Sequence, residues 1–435
     1  MMQKTDENLD RLFPLYKMKN LCTVTSSKRI ARSEYLDAGI PFYRSKEIIL
    51  KSKGIEVNSE IHISKKRFNE IKEKFSVPSK GELLISAVGS IGFTYVVEDE
   101  EFYFKDGNLL WLKNLKEGLN SNFLKLTLDS DEMQRKIEDI SAGSSQSALT
   151  IVKLNELELP IPEPIEQQKI SDVISTVQEK IDLIDQKITQ AQHLKIGLMQ
   201  KLFSGGVGVQ DEDNNWQNHT EFQNQFSSLT PKCWKSPKLQ EVTSQSISYG
   251  IVQTGENIEN GVPCVRVVDL SNDVLKPSMM ITTSSKISNA NTKSILKVGD
   301  ILFALRGDIG KVIVVDETIA GCNLTRGLAL IRPIAGINSK YLMWAIRCSY
   351  VREQILREVN GSALKEIPLK GLRGVEIPLP SQNEQNKIAE ILSTMAEKLE
   401  LLKQQKAETQ QLKRGLMQKL LTGEWRVPSD ENEAA

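Results

Sequence analysis

The sequence predicts an α+β fold built twice: two β-rich α+β globular parts joined by two long antiparallel coiled-coil helices, with the halves related by pseudo-twofold symmetry. Three observations predict it. KIGLMQKLFSG, from Lys195 to Gly205, recurs as KRGLMQKLLTG, from Lys413 to Gly423, an offset of 218 positions. The same offset lays PIPEPIEQQKISDVISTVQEKIDL from Pro160 onto PLPSQNEQNKIAEILSTMAEKLEL from Pro378. Strand-like apolar runs broken by glycine turns precede each of these helical stretches.

The offset holds well upstream of the helices, which makes the whole chain a duplication. Gly81 matches Gly299, Gly89 matches Gly307, Gly92 matches Gly310, and Gly143-Ser144 matches Gly361-Ser362. Around GIPFYRSKEI and GVPCVRVVDL the register slips by four residues. The expected order is a first globular domain over 1–160, a repeated helix over 161–205, and a polar linker over 206–230. A second globular domain over 231–378, a second helix over 379–423 and a tail over 424–435 complete it.

Each globular part reads as strand, glycine turn, strand, acidic turn, strand: KGELLISAVGSIGFTYVVEDEEFYFKDGNLLWL and VGDILFALRGDIGKVIVVDETIAGCNLTRGLAL. The glycine turns are not nucleotide-phosphate loops, because GxxxxGK followed by Ser or Thr is absent; a hairpin turn accounts for them. Asp300, Asp308 and Lys311 superficially resemble a nuclease carboxylate-lysine set, but the spacing is wrong and Phe93 stands where the first copy would need a lysine. Residues 206–230 hold four acidic residues, no Lys or Arg, and much Asn, Gln, Gly and Ser, the composition of a solvated linker.

The helices carry heptad seams. Ile170, Ile174, Val177, Ile181, Ile184, Ile188, Ala191, Leu198 and Leu202 follow alternating steps of four and three, with Lys195 the one break. The second seam starts with Ile388, Leu392, Met395, Leu399 and Leu402 and ends with Leu416 and Leu420. Lys406, Thr409 and Lys413 make its middle polar, which predicts a poor or shifted seam there. Pro-x-Pro marks each start, and Gly205 and Gly423 are suitable C-caps. Each helix is then roughly 55 Å long at 1.5 Å per residue. Antiparallel pairing puts Lys195 near Met395 and Lys406 near Ile184; the alternative is that each helix packs on its own domain or on another subunit.

Composition narrows the function. The net charge is zero, yet the distribution is uneven: 235–365 carries five more basic than acidic residues and 11–155 carries four more. That permits phosphate contacts without requiring them. No run of about 18 apolar residues and no signal-peptide pattern occurs, which makes the expected location cytoplasmic, with no membrane partner. Five cysteines without a CxxC pair and three scattered histidines suggest neither a disulfide framework nor a metal site, and the cysteines read as small buried hydrophobes.

The doubled L-P-I/L-P-x-x-x-EQ-x-KI helix opening, the GLMQKL close, the G-x-x-G hairpin and the Gly-Ser loop together resemble the specificity subunit of type I restriction-modification systems. The resemblance covers nearly the whole chain. It implies that each globular part is a target recognition domain reading one half of a bipartite site in double-stranded DNA. It implies that the helices set the spacing and dock two methyltransferase (modification) subunits, with restriction/translocase subunits joining the complex. It implies no catalysis and no cofactor in this subunit: S-adenosylmethionine, ATP and magnesium are expected on the partners. The residues agree, since no NPPY- or DPPY-type tetrapeptide, Walker A motif or credible Ser/His/Asp group occurs. Because the domains differ outside their framework glycines, an asymmetric target is expected. The rival readings are a coiled-coil adaptor without DNA specificity and a restriction enzyme proper, whose motifs are missing.

Base contacts are expected from polar side chains on loops, with Lys and Arg on phosphates. The candidates in the first domain are Arg44, Ser45, Lys46, Ser90, Ser144, Ser145 and Gln146. In the second they are Arg266, Arg306, Asp308, Lys311, Arg326, Ser362 and Lys365. Candidate partner contacts are Gln167, Lys169, Leu198 and Met199, with Gln385, Lys387, Leu416 and Met417 at the repeated positions.

Overall fold

The computed structural model describes residues 13–142, 147–225, 228–271, 275–361 and 365–427. It divides into two compact units that do not follow the linear domain order: Met1–Asp185 with Gln405–Ala435, and Gln186–Gln404. Each unit therefore holds one globular part and half of each long helix.

In the first unit an antiparallel four-stranded sheet runs in the order Thr23–Thr25, Leu109–Lys113, Leu83–Ser86, Thr94–Val96. A three-stranded sheet places Ile40–Tyr43 between His62–Ile63, antiparallel, and Tyr103–Phe104, parallel. The expected third strand of the hairpin region thus splits: Tyr103–Phe104 joins the second sheet and Leu109–Lys113 takes a central place in the first. Leu83 and Ile85 pack with Phe123, Leu124 and Leu128, while Leu84 packs with Tyr43, Ile48 and Trp111 on the other face. Burial on both faces explains the unbroken apolar run of LLIS and LLWLK.

The second unit repeats this plan. Its four-stranded sheet has the order Ser248–Tyr249, Leu328–Ile331, Ile301–Ala304, Val312–Val314. Its three-stranded sheet sets Val262–Val265 between Ile281–Thr283 and Asn323–Leu324. Ile40–Tyr43 and Val262–Val265 are the stretches where the sequence register slips by four, and both are middle strands. The turns are hairpins, with Gly89, Gly92, Gly307 and Gly310 all at positive φ.

The long helices span Pro164–Ser204 and Gln382–Thr422, 41 residues each. Pro164 occupies the first helical position, where its missing N–H costs nothing. The seams bury as expected: Ile170, Ile174, Ile181, Ile184 and Ile188, and in the second helix Ile388, Leu392, Met395, Leu399 and Leu420. Each contributes on the order of 1.5–3 kcal/mol.

The polar middle of the second seam is not shifted. Within the first unit Lys406 bonds Asp185, Lys413 Nζ donates to Gln178 Oε1 at 2.7 Å, and Thr409 is buried with its hydroxyl on the Gln405 carbonyl. The helix segments of this unit therefore run antiparallel, with Lys406 beside Ile184 as expected. In the second unit Lys195 lies over the Trp344 ring, 5.0 Å from its centroid. Burial pushes the ammonium of Lys195 and that of Lys413 below the usual lysine range.

Three expectations need correction. Residues 206–230 are not simply a solvated linker. Val209–Gln210 pairs with Trp216–Gln217, Phe222–Gln225 pairs with Ser228–Pro231, and the His219 side chain is 4% exposed. The left-handed cap after the first long helix is Gly206 (φ 69), since Gly205 still bonds Lys201; Gly423 (φ 80) serves as expected. Cys22, Cys264, Cys322 and Cys348 are buried, but Cys233 is exposed.

Candidate nucleic-acid interface

A repeated frame holds each globular part to its helix. Gln167 Oε1 accepts the Asn120 N–H at 2.8 Å and its Nε2 donates to the Pro162 carbonyl at 2.9 Å. Gln385 does the same with Asn338 (3.1 Å) and Pro380 (3.1 Å). Asn120 and Asn338 in turn cap the helices Ser121–Leu128 and Ser339–Arg347. Both glutamines are 2% exposed, so they are frame residues and correct the expectation that they face a partner.

The preceding glutamates diverge. Glu166 takes a two-pronged bond from Arg426, at 2.6 and 2.7 Å. Glu384 is 1% exposed and accepts the N–H groups of Val207 (2.8 Å) and Gly208 (3.1 Å), Trp234 Nε1 (2.9 Å) and a contact from His219 Nε2 (3.0 Å). Both bind the segment that follows the other long helix.

Against this frame the loops present the candidate DNA-facing residues. Arg44 precedes the helix Ser45–Ser52, and Glu47 accepts its backbone N–H (2.8 Å), Nε (3.2 Å) and Nη2 (2.7 Å). Asp269 holds Arg266 in the same way, at 2.8, 3.1 and 2.7 Å. Burial raises the Glu47 carboxyl, but the Arg44 bonds outweigh that and leave it below the usual range. Both guanidinium groups are thus held by buried carboxylates.

In the second unit three loops converge. A Cβ on Gly307 would lie 3.3 Å from Val267, and one on Gly327 would lie 2.6 Å from Val267 and 2.9 Å from Arg306 Nε. The loop stretches that carry Arg266, Arg306 and Arg326 therefore meet at Val267. Arg326 lies 5.9 Å from the centroid of the Tyr249 ring, itself 45% exposed. Cations interleaved with an exposed aromatic suit a nucleic-acid surface. Sequence reasoning missed Tyr249, because nothing local links position 249 to 326; the Arg326 N–H on the Ile251 carbonyl makes that link.

The other candidates fall as follows. Ser45 Oγ donates to the Asn108 carbonyl at 3.2 Å, Lys46 is exposed and paired with Glu60, and Ser90 is exposed at the hairpin tip with its carbonyl on Ser86 Oγ. Asn108 stands where the repeat has Arg326 and was likewise missed. Asp308 is exposed and 4.0 Å from Lys311; Lys365 is exposed. Ser144, Ser145, Gln146 and Ser362 lie outside the described residues. Asp300 is spent on Arg332, at 2.6 and 2.7 Å, which makes it structural. Lys169 and Lys387 are half-buried, Lys387 on Glu390. Leu198 and Met199 pack on the core of the second unit, and Leu416 and Met417 on that of the first.

The comparisons with known proteins agree with this geometry. A family model described as the type I restriction modification DNA specificity domain matches twice, over residues 13–193 and 231–411. The chain belongs to this family: it is a specificity subunit of a type I restriction-modification system. It is 25% identical over 402 residues to the type I restriction enzyme MjaVIII specificity subunit of Methanocaldococcus jannaschii, covering 91% of this chain and 85% of that one. It is 24% identical over 347 residues to the EcoBI specificity subunit of Escherichia coli, covering 73% of each. Among solved structures, the S subunit from M. genitalium matches with a TM-score of 0.57 at 16% identity, covering 97% of this chain and 99% of that one. A chain from work on complex assembly and conformational transition of the type I R-M system gives 0.59 at 17%, covering 95% and 98%. These two share the fold. No helix among the described residues is long and apolar enough to cross a membrane.

Proposed function

We propose that each globular part reads one half of an asymmetric bipartite DNA site. The observation that carries this reading is a frame repeated bond for bond, Gln167–Asn120 and Gln385–Asn338, supporting unlike loop surfaces. Arg266, Arg306, Arg326 and Tyr249 form the reading surface of the second unit; Lys46, Ser90 and the Ser45–Asn108 loop pair contribute to that of the first. Arginine on guanine edges and asparagine on adenine edges are the pairings this chemistry favours. Coupling two readers in one chain makes the second contact effectively intramolecular.

The paired helices act as the spacer and the seat of two methyltransferase subunits, joined by restriction/translocase subunits in the cytoplasm. Catalysis, with S-adenosylmethionine, ATP and magnesium, belongs to those partners. Sequencing the methylome of a strain carrying this subunit with its methyltransferase tests the reading: an interrupted, non-palindromic motif is expected. A continuous or palindromic motif would overturn it. The variant Arg326→Ala is expected to relax one half-site only.

A further inference from the structure

Cys233, His219 and Glu384 stand in line in the second unit, although the chain separates them widely. Glu384 lies in the first turn of the second long helix, and the strand pair Phe222–Gln225 and Ser228–Pro231 brings His219 and Cys233 together at its open end. His219 Nε2 is 3.0 Å from Glu384 Oε1, and Cys233 Sγ is 3.6 Å from His219 Nδ1. Cys22, Cys264, Cys322 and Cys348 are buried, whereas Cys233 is exposed.

The hydrogen bonds decide which ring nitrogen carries the proton. Glu384 accepts from the Val207 and Gly208 N–H groups and from Trp234 Nε1, all of which can only donate. A carboxylate that only accepts needs a donor from the ring as well, so the proton of a neutral His219 sits on Nε2. Nδ1 then holds a lone pair, and its partner is the Cys233 thiol. A thiol beside an imidazole that a carboxylate orients is the arrangement of an activated nucleophile.

Packing holds the ring in this place. The His219 side chain is 4% exposed and meets the Trp234 ring edge-on, with centroids 6.4 Å apart and planes at 89°. A Cβ on Gly206 would collide with Glu384 Oε1 and lie 3.0 Å from His219 Nε2, so a glycine there leaves the pair its room. The repeat does not require any of this, because at the matching position Glu166 is held by Arg426. Partial burial of the sulfur and, after it, the charge of Glu384 hold the Cys233 thiol above the usual cysteine range. It keeps its proton at neutral pH until a base takes it, and the thiolate then formed is a strong nucleophile.

We propose that Cys233 is a site of thiol–disulfide exchange with low-molecular-weight disulfides, with His219 as its general base. Nδ1 takes the thiol proton, and the Cys233 sulfur attacks one sulfur of the small disulfide. The new S–S bond forms as the old one breaks, and the departing thiolate takes the proton from the His219 imidazolium and leaves as a thiol. Cys233 is oxidised to the mixed disulfide, and the half that leaves is reduced. Glu384 fixes the tautomer and stabilises the imidazolium between the two proton transfers.

The test mixes the full chain with cystine at neutral pH, stops the reaction with acid at intervals and maps the mixed disulfide by peptide mass spectrometry, so that Cys233 is followed by itself. In the folded wild-type chain Cys233 is expected to react at least about tenfold faster than the same cysteine in the chain unfolded by urea. Exposure without a base does not raise a thiol above its unfolded rate. His219→Gln keeps a donor toward Glu384 and removes the base, and Cys233 is then expected to fall to the unfolded rate. Hydrogen exchange over 207–225 and 228–234 reports whether that variant keeps its fold; where it does not, the wild-type comparison decides alone. A folded wild-type rate no higher than the unfolded one overturns the proposal, as does a folded His219→Gln chain that reacts as fast as wild type. Either failure leaves the DNA reading standing, because none of the three residues belongs to the proposed reading surface.

Discussion

Glu166 and Glu384 occupy the same place in the repeat, yet truncating them is expected to have very unequal effects. Glu384→Ala strands two backbone N–H groups, the Trp234 indole N–H and the His219 ring behind a residue 1% exposed. A buried donor left without its acceptor costs about 1–3 kcal/mol. With two of these donors remaining dry after relaxation, the loss comes to about 3–5 kcal/mol. Glu166→Ala breaks a pair whose Arg426 side chain is 55% exposed, and water takes over the freed guanidinium. Its cost is about 1 kcal/mol. Urea titration followed by circular dichroism, with hydrogen exchange over the described residues 207–225 and 228–234, measures both. The Glu384 variant is expected to lose protection across that segment first. A difference between the two variants below about 1 kcal/mol would refute the reasoning, because it would mean the four bonds to Glu384 are replaced by solvent.

Other expectations follow from the same geometry. Gln167→Ala and Gln385→Ala remove matching pairs of bonds and should destabilise by equal amounts, about 2 kcal/mol each, in calorimetry. Gly250→Ala would put a Cβ 1.9 Å from the Leu324 carbonyl oxygen; a loss of about 1–3 kcal/mol and a displaced Ile251–Thr325 bridge are expected in melting and hydrogen-exchange experiments. Glu47 titrates below its ordinary 4.5, so the unfolded chain binds its proton first as pH falls. Its stabilisation is present above pH 4.5 and is lost on acidification below that; Glu47→Gln should flatten the acid limb of the stability profile there.

Much of this protein was legible in its sequence, and the reason is that duplication supplies a second measurement of every local signal. Glycines matched at 81 and 299, 89 and 307, and 92 and 310 marked turns because a left-handed backbone restricts the residue locally, and all six have positive φ. Heptad spacing located the seams since burial on a helix follows its own period. The polar middle of the second seam reads in the sequence as poor or shifted, and of these the shift is absent. Lysine at a seam looks unfavourable in isolation, and only the facing Asp185 and Gln178 make Lys406 and Lys413 fit.

Sequence by itself determined the repeat, the paired helices, the hairpins and the family. Tertiary structure alone decided what joins across long separations. Arg426 reaches Glu166 from 260 positions away, His219 reaches Glu384 from 165, and Tyr249 comes to face Arg326. It also withdrew Gln167 and Gln385 into the frame and tied Arg44 and Arg266 to buried carboxylates. The physical reason is that local patterns encode which face of an element is buried, whereas the pairing of polar groups depends on which distant element that face meets.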